Sequence, residues 1–133
     1  MTNSPPFRTS ADLIAEVLAN LGVLSAGQSP EVEDFQAVSS KLDATFRKLA
    51  ALEICYVPDE DNIQPEWFSD LADILAGESA VKFGVTNDDY VKLVNRGLGG
   101  AGGVPIGAGT AAMSLKIMQR GKPTYEILRT ESF

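Results

Sequence analysis

The stretch from Ser29 to Leu52 constrains this chain most, because it reads as one long amphipathic helix. Ser29 is placed to cap it, and Pro30 sits at the first helical position, where a missing N–H costs nothing. Glu31, Glu33 and Asp34 crowd the first turns, where the helix dipole favours negative charge. Val32, Phe35, Val38, Leu42, Phe46 and Leu49 then recur at spacings of three and four, which makes a single apolar stripe. Asp43 and Arg47 are spaced to pair across one turn. At a rise of 1.5 Å per residue such a helix is a rod of roughly 35 Å. Its stripe needs partners, so the remaining segments are read as what covers it.

At 133 residues the chain is expected to form one domain with a real core. No apolar run approaches the roughly 20 residues of a membrane span, and no basic, hydrophobic leader is read at the start. Cys55, the one cysteine, excludes an internal disulfide and suits a reducing compartment. It reads as a small buried hydrophobe, since the chain has no histidine to activate a thiol. The same lack of histidine removes the commonest general base and metal ligand, so neither a zinc site nor a serine triad is expected. No catalytic residue, cofactor site or metal site is assigned.

The net charge of −7 is unevenly spread. Residues 1–111 carry 7 Lys and Arg against 16 Asp and Glu; residues 112–133 carry Lys116, Arg120, Lys122 and Arg129 against Glu126 and Glu131. The acidic body argues against tight duplex binding, which needs several cations on one face. The basic end suits an acidic partner surface or is a solvated tail.

In chain order, Met1 to Arg8 reads as an extended lead-in containing Pro5-Pro6. Thr9 or Ser10 caps a first helix, with Asp12 three residues after Thr9 as a capping box. Leu13, Ile14, Val17, Leu18 and Leu21 form its apolar face and Gly22 stops it. After the long helix, Ile54–Val57 is too short to classify by period, and Asp59-Glu60-Asp61-Asn62 reads as a solvated turn. It lacks the glycine and distal glutamate of a calcium loop.

Pro65 opens a third helix to about Phe83, with Gly84 as its stop. Phe68, Ala72 and Leu75 form one apolar row; Trp67, Leu71, Ile74 and Val81 form another. A helix apolar around more than half its girth is covered on more than one side, and a neighbouring copy of the chain is one candidate cover. Gly77 within it suits a close crossing. Asn87 caps a fourth helix, with Asp88 and Asp89 in its first turn, Val91 and Val94 inward, and Gly97 at its end.

Seven of the thirteen residues from Gly97 to Gly109 are glycine. Gly97, Gly99 and Gly102 match G-x-G-x-x-G in form. The dinucleotide fingerprint needs a strand before it and an acid about twenty residues on, inside a β-α-β unit, and none is read here. The run is expected to be a hinge or a loop that packs closely on another backbone. Thr110 caps a last helix over Ala111–Arg120, although Met113, Leu115 and Ile117 also alternate as a strand would. Lys122 to Phe133 mixes Tyr125, Ile127, Leu128 and Phe133 with Thr124, Arg129 and Thr130, which suits an extended strand able to join another protein's sheet edge or to pair within its own chain.

Three segments carry a resemblance: Ala11-Asp-Leu-Ile-Ala-Glu-Val-Leu-Ala-Asn-Leu-Gly22, the helix with Lys41-Leu-Asp-Ala-Thr-Phe-Arg-Lys-Leu-Ala50, and Gln64-Pro-Glu-Trp-Phe-Ser-Asp-Leu-Ala72 running on to Phe83-Gly84-Val85. Over residues 10–96 and in helix order, the chain resembles the head-to-tail connector adaptors of tailed phages, including tail accessory and head-completion factors. The residue pattern is read as an all-α fold, with a small helical bundle and a long central helix over residues 1–96, a glycine-rich loop or hinge over 97–109, and a C-terminal helix and extended arm over 110–133; the resemblance implies the bundle and the arm. It implies a ring of about twelve copies beneath the portal, without enzymatic activity or cofactor, located in the virion after synthesis in the host cytoplasm. Lys122, Thr124, Tyr125, Ile127, Leu128, Arg129 and Phe133 would bind the portal protein. Trp67, Phe68, Leu71 and Leu75 would lie between subunits. The far side would meet the next tail component, a nozzle, stopper or tail protein, while DNA passes through without sequence-specific binding and no membrane is involved. Two competing readings are a helical regulatory or interaction module and a small cell-wall hydrolase using acids such as Glu66 and Asp70.

Overall fold

The structure, a computed structural model, describes residues 8–24 and 28–121. These form an all-α bundle of five helices: α1 (Ser10–Asn20), α2 (Val32–Ala51), α3 (Pro65–Ser79), α4 (Asn87–Arg96) and α5 (Thr110–Gly121). A short 3-10 turn, Ala80–Phe83, extends α3. Among the described residues there is no strand, only an isolated antiparallel bridge between Arg8 and Ile63. None of the described helices is long and apolar enough to cross a membrane.

Local chemistry explains the helix ends. Thr9 and Asp12 form a reciprocal capping box: the Asp12 N–H donates to Thr9 Oγ1 and the Thr9 N–H to Asp12 Oδ2, both at 3.2 Å. Leu21 is the C-cap of α1. Beyond it, the Gly22 N–H donates to the Ala19 carbonyl and the Val23 N–H to that of Leu18, so the stop at Gly22 is a Schellman turn. Pro65 occupies the first turn of α3. Thr86, rather than Asn87, caps α4, its hydroxyl accepting from the Asp89 N–H, with Asp88 and Asp89 in the first turn.

The long helix starts later than its proline suggests. Its N-cap is Glu31, with neither Ser29 as cap nor Pro30 in the first turn, and its 20 residues make a rod of roughly 30 Å. Val32, the first residue of the expected stripe, is 69% exposed, so the covered part of the stripe starts at Phe35. The helix closes on a second Schellman turn, with Glu53 at φ 59° and the Ile54 N–H on the Leu49 carbonyl. A side chain at positive φ is strained by its Cβ. Glu53 is exposed, so Glu53→Gly is expected to stabilise the chain by about 1 kcal/mol. Urea unfolding checks this.

The longest helix is not the central one. α3 packs against α1, α2, α4 and α5, while α2 touches α1 and α3 along one stripe. Val38, Leu42, Phe46 and Leu49 of that stripe are buried and Phe35 is partly so. Within α3, Trp67, Phe68, Leu71, Ala72, Ile74, Leu75 and Ala76 are all buried. The wide apolar girth of this helix is thus covered by its own chain. Lys48 Nζ ties α2 to α3 at 3.0 Å from Glu78 Oε1, and the Arg8 guanidinium lies 4.2 Å from the centre of the Phe68 ring.

α5 is a helix throughout, with Ala111, Ala112 and Leu115 buried against the common core. The strand alternative fails because Met113 and Ile117 face outward while residues three and four apart point in. α5 therefore belongs to the same core as α1–α4.

Candidate interaction surfaces

The glycine run forms a closely packed loop rather than a hinge. Its backbone bonds are largely internal: Gly100 N–H to the Val104 carbonyl at 2.8 Å, Gly107 N–H to Leu98 at 2.8 Å, and Ala112 N–H to Gly97 at 3.0 Å. Lys116 Nζ adds a bond to the Gly107 carbonyl at 2.8 Å. A Cβ on Gly97 would lie 2.8 Å from both the Asp73 carbonyl oxygen and Ile74 Cα in α3. One on Gly109 would collide with the backbone of Gly97, Leu98 and Gly99. Glycine is needed here because backbone meets backbone. Gly77 likewise marks the α3–α4 crossing, beside Leu93 and Val94. The element before the loop is the helix α4, not the strand that precedes a dinucleotide fingerprint.

The four residues assigned between subunits occupy another place. Trp67, Phe68, Leu71 and Leu75 are 5%, 7%, 1% and 0% exposed within the single chain. They have no surface to offer a second copy, because the other four helices already cover α3. Sequence period identifies an apolar face but not which partner covers it. Val81, placed in the same row, is 74% exposed. The portal-arm residues Lys122, Thr124, Tyr125, Ile127, Leu128, Arg129 and Phe133 lie outside the described residues.

Two concavities meet along the outer side of α2. The larger, about 420 Å³, is lined by Asp43, Phe46, Arg47 and Ala50 of α2 and by Tyr56–Asp61 of the connection to α3. The smaller, about 180 Å³, is lined by Ala50, Glu53, Ile54, Cys55, Tyr56 and, from α5, Gln119. Ala50 and Tyr56 border both, so the two concavities are neighbours, the larger being a groove between α2 and the 56–61 connection. Tyr56 is 66% exposed at the junction, while Cys55 is buried with its Sγ 3.9 Å from Gln119 Nε2.

The groove is acidic. Arg47 pairs with Asp43 at 3.0 Å, as its spacing across one turn predicts. Burial raises the Glu60 carboxyl above its usual range; the charges of Asp43 and Asp61 and a hydrogen bond with Asp43 add to this, and Arg47 opposes it. Asp61 shifts the other way, because the Ser10 hydroxyl and N–H donate to its Oδ1 at 2.8 and 3.2 Å. Its contribution to stability is present above the normal carboxylate range and is lost as pH falls through its lowered value. The Asp59-Glu60-Asp61-Asn62 turn is thus fastened to α1 and to itself, with Asp59 accepting from the Asp61 N–H and from Asn62 Nδ2.

A further carboxylate, Asp73, is half-buried between helices. Desolvation raises its pKa, Arg96 opposes that shift, and Asp70 and Glu16 reinforce it. Its sign is opposite to that of Asp61: the folded state gains as pH falls through the raised value, since protonation removes a partly buried charge. Asn20 Nδ2 lies 3.5 Å from Asp73 Oδ1.

Glu66 and Asp70, the acids weighed for hydrolysis, sit on α3, exposed and half-buried respectively, and line none of these concavities. Among the described residues no cluster of three or more His, Cys, Asp or Glu is placed to hold a metal ion. The exposed side of α5 presents Met113 and Ile117, 42% and 59% exposed. The groove was not legible in the sequence: Asp43, Arg47, Tyr56 and Glu60 come together only when the 54–61 connection folds back on α2. No family model, curated protein or solved structure matches the chain.

Proposed function

We propose that this chain is a structural head-to-tail connector adaptor of a tailed-phage virion. Copies dock as a ring beneath the portal, the C-terminal residues 122–133 engage the portal, and the outer side of the ring receives the next tail component. What supports this reading is the resemblance over residues 10–96, which fold as α1 to α4, four of the five helices of one bundle. Its chemistry is assembly, with no catalytic step. The acidic body suits a DNA channel, since like charges repel and contact releases no counterions. With α3 covered inside each chain, the outward Met113 and Ile117 of α5 form an apolar surface left to a neighbouring copy.

The test is electron microscopy of this protein mixed with the portal ring of the same genome, with and without residues 122–133. A ring of added density with the full chain, lost on truncation, is the expected result. No added density with the full chain overturns the adaptor reading. One observation favours a second reading, a helical interaction module acting as a single copy: the core is complete without a partner. That reading predicts a stable monomer with no affinity for the portal, so the same experiment separates the two.

A further inference from the structure

Charge divides this molecule in two. Residues 1–89 carry 16 Asp and Glu against five Lys and Arg. Asp89 is then the last carboxylate before Glu126, so Tyr90 to Gly121 holds Lys92, Arg96, Lys116 and Arg120 and no acid. The fold keeps the two parts apart. α1 and α2 pack on each other and on α3, α4 and α5 pack on each other and on α3, and no extensive contact joins the first pair to the second. The three ion pairs among the described residues, Arg8–Asp12, Arg47–Asp43 and Lys48–Glu78, all lie in the acid-rich part. Lys92, Arg96 and Lys116 are in none of them: Arg96 acts on Asp73 only from beyond ion-pair distance, and Lys116 donates to the Gly107 carbonyl.

A chain of net charge −7 repels its own copies unless a contact sets unlike charges together. The acid-free part also exposes Ile106, Met113 and Ile117, apolar side chains of the kind that fill the core of a protein interface. A nucleic acid would use the cations and leave those three without a role. On the α2 side, the groove sets Asp43, Asp59, Glu60 and Asp61 against Arg47 alone, with Tyr56 exposed at its edge. We propose that copies of this chain associate head to tail, the acid-free face of α5 and the glycine loop in one copy docking on the acidic α2 groove, around Tyr56, of the next. Two acid-free faces set against each other would oppose cation to cation, so the contact joins unlike faces. Such a contact closes into a ring or runs on as a filament according to its rotation. The inference deepens the ring reading, naming which faces of neighbouring copies meet, and rests on that reading for closure.

The test is sedimentation velocity of the isolated full-length chain and two variants changed only at exposed positions, so that each keeps its fold. One carries Met113→Glu with Ile117→Glu and loses the docking face; the other carries Asp43→Lys with Tyr56→Lys and loses the receiving groove. The natural chain is expected to form species larger than a dimer as its concentration rises to about 1 mM, a range that detects even weak contacts. Each variant alone is expected to stay monomeric over the same range. An equal mixture of the two is expected to form a dimer and stop there, because each partner keeps one intact face. A natural chain that stays monomeric throughout overturns the proposal, and if it binds duplex DNA instead, the acid-free face belongs to phosphate. Association kept by the groove variant and lost by the α5 variant overturns it too, in favour of a contact between like faces. So does a mixture that forms no dimer. The portal takes no part in this test. A ring of added density on the portal beside a monomeric isolated chain sinks this contact alone, and head-to-tail association without portal density sinks the adaptor reading alone.

Discussion

Leu75→Ala is expected to lower the unfolding free energy of the isolated chain by about 3 kcal/mol, independently of protein concentration. Leu75 is fully buried in α3, the helix on which the other four pack. Removing its isobutyl group loses the transfer free energy of the missing atoms and leaves a cavity that close-packed neighbours fill only in part. Reported Leu→Ala costs in such sites span about 2–5 kcal/mol. Urea unfolding at two concentrations a hundredfold apart checks both parts of the expectation. If Leu75 instead served a contact between copies, the isolated chain would lose little and oligomerisation would suffer. A loss under about 1 kcal/mol would therefore contradict the core assignment.

Gly97→Ala is expected to cost about 2–3 kcal/mol through overpacking rather than through a cavity. The new methyl would sit 2.8 Å from the Asp73 carbonyl oxygen and from Ile74 Cα. Both neighbours are backbone atoms within α3, so relief requires one helix to move away from the other. Gly97 also holds the loop to α5, since its carbonyl accepts the Ala112 N–H at 3.0 Å. Moving Gly97 disturbs the loop, α4 and α5 together. A contrasting control is Gly103→Ala, where nothing lies within 4 Å of the added carbon and the cost is confined to its positive φ of 87°. Thermal unfolding of the two variants should place Gly97→Ala well below the control. Equal melting temperatures would mean that the α3–α4 crossing is not close-packed at this point.

Much of the chain's local structure was legible because its signals act over four residues or fewer. The Thr9–Asp12 capping box, the stops at Gly22 and Gly84, Pro65 at the start of α3 and the Asp43–Arg47 pair all lie where their spacing places them. The exceptions are instructive. Ser29 and Pro30 carry a helix-start signature that the chain does not use, because capping preferences are worth only about 1 kcal/mol and tertiary contacts override them. Thr86 takes the cap expected of Asn87 for the same reason: neighbouring polar residues compete closely.

The candidate sites were less legible. Trp67, Phe68, Leu71 and Leu75 look the same in sequence whether they face a second copy or their own chain. The acidic groove joins α2 to a segment up to 18 residues away, and no periodic pattern announces that meeting.

What the sequence determined by itself is the fold class and the helices. A 3.6-residue period of apolar side chains, with caps and glycine stops, specifies helices without reference to anything distant. What only the tertiary structure decided is which helix lies at the centre, whether α3 is covered from within, and what the glycine run does. Those answers depend on contacts between residues far apart in the chain. There the governing quantities are shape and buried area, which a local pattern does not encode. Hence α2, the most conspicuous helix in the sequence, lies to one side, and α3 carries the core.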